Sequence, residues 1–477
     1  MQIKIHKLNA PIYSTGLTLW ATAIFFSYLS ARFDYSKIGV SYFFSSLLPL
    51  IAATYFLMNR EKKILGTVFL FLSFLISFFI NLPIVPNHRY VLFFASILMI
   101  LPIFVSPKKE EEFFLSQTVR HVRSLTIIVY FFAFLSKLNW DYLDVNKSCA
   151  VVFFRHIQSL HGFIPNFPLV DLSVVYGSLL VELLIPVFLL LRFRNAALYL
   201  GLVFHFILAL DIYKYFTNFS AVMGFLLFVS VGQAALKKFE SFSSVTIENV
   251  FKTRAKFFLW LLSSLFVLMV TSIVVDFSGG VSESKAILLF VVFRHLMWLI
   301  YGSFLLIAAA KLFLESRNVF AREIVVAKNI RFNLLALAVL SLAFINGTTP
   351  FVGLKSRTGF NMYGNLRVEP SFSNHLFVPR TLGVSSYMYD VGYVLGADEE
   401  MLCDNILYPN TQYPIFEILR AANRCKDQTF EFAYGKSIFK SDSNEVDLLI
   451  EQKTSIFTRK LLTFKPIGLK AESECIW

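Results

Sequence analysis

Apolar runs long enough to cross a lipid bilayer, about 17–25 residues each, recur through the first three quarters of this chain. They occupy residues 11–31, 40–58, 64–82, 90–105, 122–138, 172–191, 195–212, 217–236, 256–275, 286–312 and 333–352. A 477-residue chain that is 56% hydrophobic and 16% charged has the composition of lipid-embedded helices rather than of a soluble globule. The expected fold is an all-α polytopic membrane bundle of about 11 transmembrane helices. Lys4 and Lys7 precede the first run as they would in a signal peptide. Its apolar part exceeds the about 7–15 residues of such a segment, so it reads as a spanning helix.

The formal charge of +13 matters less than where it lies. Lys and Arg concentrate in alternate loops, on the side of the N-terminus, which the positive-inside rule places in the cytoplasm. With an odd number of spans, everything after Lys355 then lies outside, and a bacterial inner membrane is the expected location. That tail carries 13 basic and 15 acidic residues, so it offers no basic face to nucleic acid.

Two parts are expected, a transmembrane domain over 1–355 and an extracytoplasmic α+β domain over 356–477. In the second, "YMYDVGYVLG", "TFEFAYG", "EVDLLIEQ" and "FTRKLLTF" read as short β-rich runs around one helix near 415–423. Residues 139–171 are too apolar for a solvated loop and are expected against the outer membrane face. All four cysteines, Cys149, Cys403, Cys425 and Cys475, fall on the predicted outer side, where disulfides persist. Cys403 and Cys425 flank "YPIFEILRAANR" and are the expected pair, with Cys149–Cys475 as the complementary bond. No Cys/His spacing suits zinc, so no metal is expected.

Ionisable groups inside spanning helices are costly and point to function. Lys137, Glu182, His205, Asp211, Arg294 and His295 all fall in the outer half of the expected membrane, which implies one polar pocket opening outward. Each has a plainer explanation. Lys137 can snorkel to the interface beside Trp140 and Tyr142, His205 can be a core histidine, and Glu182 with Arg294 can be a buried pair that fixes helix register. Residues 365–375, "NLRVEPSFSNH", are expected either to fold back as a lid, with Arg367, Glu369, Asn374 and His375 capping the pocket and Asn365 entering it, or simply to join helix to domain.

Several blocks resemble a known family. "SKLNWDYL" at 136–143, "VELLIP" at 181–186, "RFRN", "FHFILAL" at 204–210 and "GFNMYGNLRVEPSFSNHLFVPR" at 359–380 are similar to the horizontally transferred transmembrane (HTTM) domain, the family of vitamin K-dependent gamma-carboxylases. The resemblance implies that Lys137 is the base that deprotonates a reduced naphthoquinone such as vitamin K; His205, in the same polar set, is the second catalytic candidate. It implies O2 and CO2 as cosubstrates and glutamates of a secreted peptide as the acceptor, a lyase-type reaction coupling carboxylation to epoxidation. Ser136 stands where the family motif has its first lysine, and the tail is shorter than the luminal part of those carboxylases. The alternative is a non-enzymatic membrane factor that matures or exports a secreted peptide. Membrane lipid is a partner in either case.

Overall fold

Apart from 256–275, which lies outside the described residues, every apolar run is helical. The computed structural model describes residues 11–29, 40–58, 63–105, 111–160, 167–211, 216–251, 282–315, 333–384, 386–395, 407–425, 429–467 and 475. The helices are α1 Pro11–Leu29, α2 Val40–Met58, α3 Lys63–Asn81, α4 Asn87–Val105 and α5 Glu111–Lys137, then a short α6 Trp140–Leu143 and α7 Cys149–Leu160. They continue as α8 Pro168–Leu190, α9 Arg194–Leu208, α10 Phe216–Val231, α11 Gln233–Phe251, α12 Ser282–Glu315 and α13 Leu334–Thr348.

α10 is the axis of the bundle. Every residue of it except Phe219 is buried, as expected of a helix that is apolar all round. α1, α5 and α9 pack directly on it, and α5 also contacts α4, α8 and α13. α10 stops at Gly232, whose φ of 126° is open only to glycine, and the chain restarts as α11. The run expected as a single helix over 217–236 is therefore two.

The expected count of about eleven spans is met only in part among the described residues. Among the described residues, three helical stretches are long and apolar enough to cross a membrane, Leu115–Lys137, Pro168–Leu190 and Val292–Leu314. Six further apolar helices, from α1 to α13, contribute described stretches of 10–17 residues to the same bundle. Beyond its helix, an apolar run can end in a turn, as at Gly232, or give way to buried coil. Phe351, Phe360, Met362, Leu366 and Val368 do the latter, packing into the same core as the bundle.

Beyond the bundle a second core forms from Val394, Tyr413, Ile418, Leu419, Phe432 and Val446, among others. It lies against an antiparallel sheet of β1 Val391–Val394, β2 Thr411–Pro414, β3 Glu431–Tyr434 and β4 Ser437–Lys440, in the order β2-β1-β3-β4. The expected helix near 415–423 is α14 Ile415–Arg424, which buries Ile415, Phe416, Ile418 and Leu419. Two stretches expected as strands are helices, α15 Asn444–Lys453 and α16 Ile456–Leu461. Glu445 and Asp447 in the first turn of α15 suit a helix N-terminus, and Val446 with Leu449 and Ile450 gives one apolar face at helical spacing. α16 starts with a reciprocal Ser455–Thr458 capping box.

Cys149, at the start of α7, is bonded to Cys475, 326 residues away, with Cα atoms 5.3 Å apart. Cys425 is disulfide-bonded too. Cys403, its expected partner, lies outside the described residues.

Candidate functional site

The site assembles where α5 ends. Lys137 is the last residue of that helix, and its side chain turns inward: Nζ donates to both oxygens of the Glu182 carboxylate, at 2.8 Å to Oε1 and 2.7 Å to Oε2. Both residues are 6% exposed. Glu182 sits in the middle of α8, on the face that meets α5. A lysine that snorkels would place its ammonium in water, so the geometry removes the anchor explanation. Trp140 is 68% exposed and remains free to anchor, whereas Tyr142 is buried. The Lys137 ammonium lies 5.7 Å from the centroid of the Tyr142 ring, and the Tyr142 hydroxyl pairs with Ser178 Oγ at 2.7 Å. Burial, with the Glu182 charge adding to it, raises the pKa of that phenol well above its ordinary value, so it stays neutral.

His205 joins from α9. Its Nε2 is 2.8 Å from the Tyr130 hydroxyl, and its backbone carbonyl accepts from Ser220 Oγ of α10 at 3.0 Å. Lys137 lies within electrostatic range of His205, and Glu182 within range of Tyr130, so the four side chains make one cluster drawn from α5, α8 and α9. His205 Nδ1 is buried with no hydrogen-bond partner. Tyr130 did not stand out in the sequence. Its position seven residues before Lys137, two turns down the same helix face, was the available signal.

Residues 364–378 return over this end of α5. Asn139 caps α6 by accepting from Tyr142 N at 2.8 Å, and its Nδ2 donates to the carbonyls of Ser136 and Gly364. Gly364 packs so closely that a Cβ there would lie 2.8 Å from Ser136 Oγ. Trp140 N donates to Asn374 O at 3.0 Å, and Leu376 N to Leu138 O at 2.9 Å, pairing Asn139 with His375 as an antiparallel bridge. Asn374 Nδ2 reaches Asp141 Oδ2 and the Asn365 carbonyl, both at 2.7 Å. Asn365, with a positive φ of 53°, accepts from Cys149 N and donates to the Lys147 carbonyl, both at 3.0 Å. Arg367 and Glu369 pair with each other at 3.0 Å.

His375 is held as a defined tautomer. The backbone N–H groups of Phe377 and Val378 both donate to Nδ1 at 3.1 Å, so Nδ1 is an acceptor, and Nε2–H donates to the Leu135 carbonyl at 3.0 Å. Burial holds this imidazole below its usual pKa, in keeping with a neutral ring.

The other expected pocket residues lie apart from the lysine in their hydrogen bonding. Asp211 is fully buried and takes His156 Nδ1 at 3.1 Å. His156, which projects from α7, was not anticipated, because nothing in the sequence marks 149–160 as a helix facing the end of α9. Arg294 is 1% exposed on α12, which packs on α9. The ion-pair partner of Glu182 is Lys137 rather than Arg294. His295, next to Arg294, is half-buried. Among the described residues, no three His, Cys, Asp or Glu side chains stand together as a metal site.

Comparison of the chain with family models, with curated proteins and with solved structures finds no match.

Proposed function

We propose that this chain is an integral-membrane protein of the HTTM type that modifies glutamates of a secreted peptide at the outer membrane face, using a reduced naphthoquinone as vitamin K-dependent gamma-carboxylases do. In this reading the bundle over 1–355 spans the membrane about eleven times, the N-terminus is cytoplasmic, and residues 356–477 face outward. Its carrying observation is the buried, bidentate contact between Lys137 and Glu182 at the closed end of α5.

An ammonium held by a carboxylate takes up no proton. Passing one proton from Nζ to Glu182 turns the pair into a neutral amine and a neutral acid, which removes two charges from a low-dielectric site and leaves Lys137 able to act as a base. His205 Nδ1 suits a hydroxyl ligand whichever tautomer is present. If Tyr130 donates to Nε2, Nδ1 carries a proton to give; in the other tautomer Nδ1 accepts. A quinol hydroxyl both donates and accepts, so these residues fit the group. Once bound, the quinol supplies with O2 the strong base needed to remove a glutamate γ-proton before CO2 adds. The 364–378 segment keeps water from the lysine, and the backbone contacts of Asn374 and His375 hold that segment in place.

The same ion pair favours a second reading, a non-enzymatic membrane factor for peptide maturation or export, because a bidentate contact between α5 and α8 fixes their register without any chemistry. Purified protein in lipid, supplied with reduced naphthoquinone, O2, CO2 and a Glu-rich peptide, tests the choice. Quinone epoxide with gamma-carboxyglutamate supports the enzyme. Peptide binding without either product supports the factor.

A further inference from the structure

Where the bundle hands over to the sheet domain, two cations come within electrostatic range of each other, with no carboxylate between them among the described residues. The chain just after α13 runs beside the segment that follows α16: Ser356 N and Arg357 N both donate to the Thr463 carbonyl at 3.2 Å, and Lys465 N donates to Ser356 Oγ at 2.6 Å. This crossing sets Arg357 and Lys465 within electrostatic range of each other. Arg357 Nε is buried with no hydrogen-bond partner. Neither side chain forms an ion pair with a carboxylate among the described residues.

Tyr413, at the third position of β2 and 1% exposed, also lies within range of Arg357. Its oxygen accepts from Tyr408 N at 2.8 Å, which leaves the phenol proton to be donated elsewhere. The nearby carboxylate of Glu417 is already engaged: Oε2 takes Arg420 Nη1 at 2.9 Å and Oε1 takes Phe464 N at 2.7 Å. Burial, with the Arg357 charge adding to it, brings the Lys465 ammonium down to about 8.

Two neighbouring cations repel, and a buried N–H without an acceptor costs free energy. Both penalties vanish when an oxyanion sits between them, and a guanidinium fork with a phenol and an ammonium is well suited to tetrahedral oxygens. The geometry points to Arg357, Lys465 and Tyr413 as a phosphate-binding site at the joint between bundle and sheet domain. The phosphate group can come from a lipid headgroup, phosphatidic acid being the monoester with charge to match two cations, or from free phosphate.

The test uses the full-length protein in detergent, with chloride exchanged for inorganic phosphate at constant ionic strength and the thermal midpoint followed. The wild-type midpoint should rise saturably. Tyr413→Phe should need about tenfold more phosphate for the same rise, the loss expected for one hydrogen bond to an ion. Lys465→Met removes the repulsion, so its midpoint in chloride should rise while its phosphate response disappears. This variant is expected to fold at least as well as the wild type, so a lost response cannot be blamed on misfolding. In nanodiscs, phosphatidic acid that blocks the response to inorganic phosphate identifies the lipid headgroup as the source; an unblocked response identifies free phosphate. Equal phosphate responses in wild type and both variants, or no response to either source, would overturn the site.

Discussion

Asn374 Nδ2 donates to Asp141 Oδ2 at 2.7 Å, so a residue 233 positions further along the chain holds the turn that follows Lys137. The same amide nitrogen serves the Asn365 carbonyl, and its oxygen takes Arg367 N at 2.9 Å. Asn374→Asp sets a carboxylate against Asp141 and loses the donor. It should cost about 2–3 kcal/mol, the range for a buried hydrogen bond to a charged group together with the desolvation of its abandoned partner. Denaturant midpoints in detergent measure this. An unchanged midpoint would mean that the segment rests on the end of α5 without being held there.

The Cys149–Cys475 bond ties the start of α7 to the far end of the chain. Cys475→Ser should expose Cys149 to alkylation under non-reducing conditions while Cys425 stays protected. It should also lower stability by about 2–4 kcal/mol, typical for a bond closing a long loop. Mass mapping of labelled peptides reads the outcome. Labelling of Cys425 instead would show that the pairing differs.

Lys355 carries a pH signature. Its Nζ donates to Asn346 Oδ1 at 2.6 Å and Thr358 Oγ1 at 3.2 Å and sits 4.5 Å from the Tyr90 ring centroid, without a carboxylate among the described residues. Burial lowers it from 10.5 to about 7. Between those values the unfolded chain binds the extra proton, so stability rises with pH from about 7 towards 10.5 and the gain is absent below 7. Midpoints at pH 7 and 9 should differ in the wild type and much less in Lys355→Met. Equal slopes in the two proteins would assign the trend to other groups.

His375 acts in acid. Because its folded pKa is lowered, the neutral ring contributes stability that is present above the ordinary imidazole range and is lost as pH falls below about 6.5 towards the folded value. Protonating Nδ1 would turn it towards two N–H groups. Hydrogen exchange in 364–378 should therefore accelerate on moving from pH 7 to pH 5, after correction for the intrinsic rate. Exchange that follows the intrinsic rate alone would show that the tautomer does not hold the segment.

Much of this was legible in the sequence, and for an identifiable reason. Burying Lys137, Glu182 and His205 in apolar helices is costly enough that each stood out from its neighbours, and the structure joins all three. The partner of Glu182 was not legible, since pairing depends on how α5, α8 and α12 rotate about their axes, and apolar runs without a polar face carry no rotational signal. Tyr130 was hidden among many aromatics, one of 20 Tyr beside 55 Phe. In the tail, "EVDLLIEQ" mixes Leu, Val and Ile in a way that suits strand or helix, and the acidic first turn of α15 decides it. Hydropathy also does not reveal where a run breaks, as it does at Gly232.

In the proposed function Lys137 moves a proton, and Lys137→Arg tests that step. Arginine keeps the charge and can still pair with Glu182, but a guanidinium does not give up its proton at accessible pH. Quinone epoxide formation should be present in the wild type and abolished in Lys137→Arg, with the variant inserted and folded at wild-type levels. Epoxide formed at the wild-type rate by the arginine variant would rule out proton transfer by Lys137 and leave the Lys137–Glu182 pair as a structural clamp between two helices.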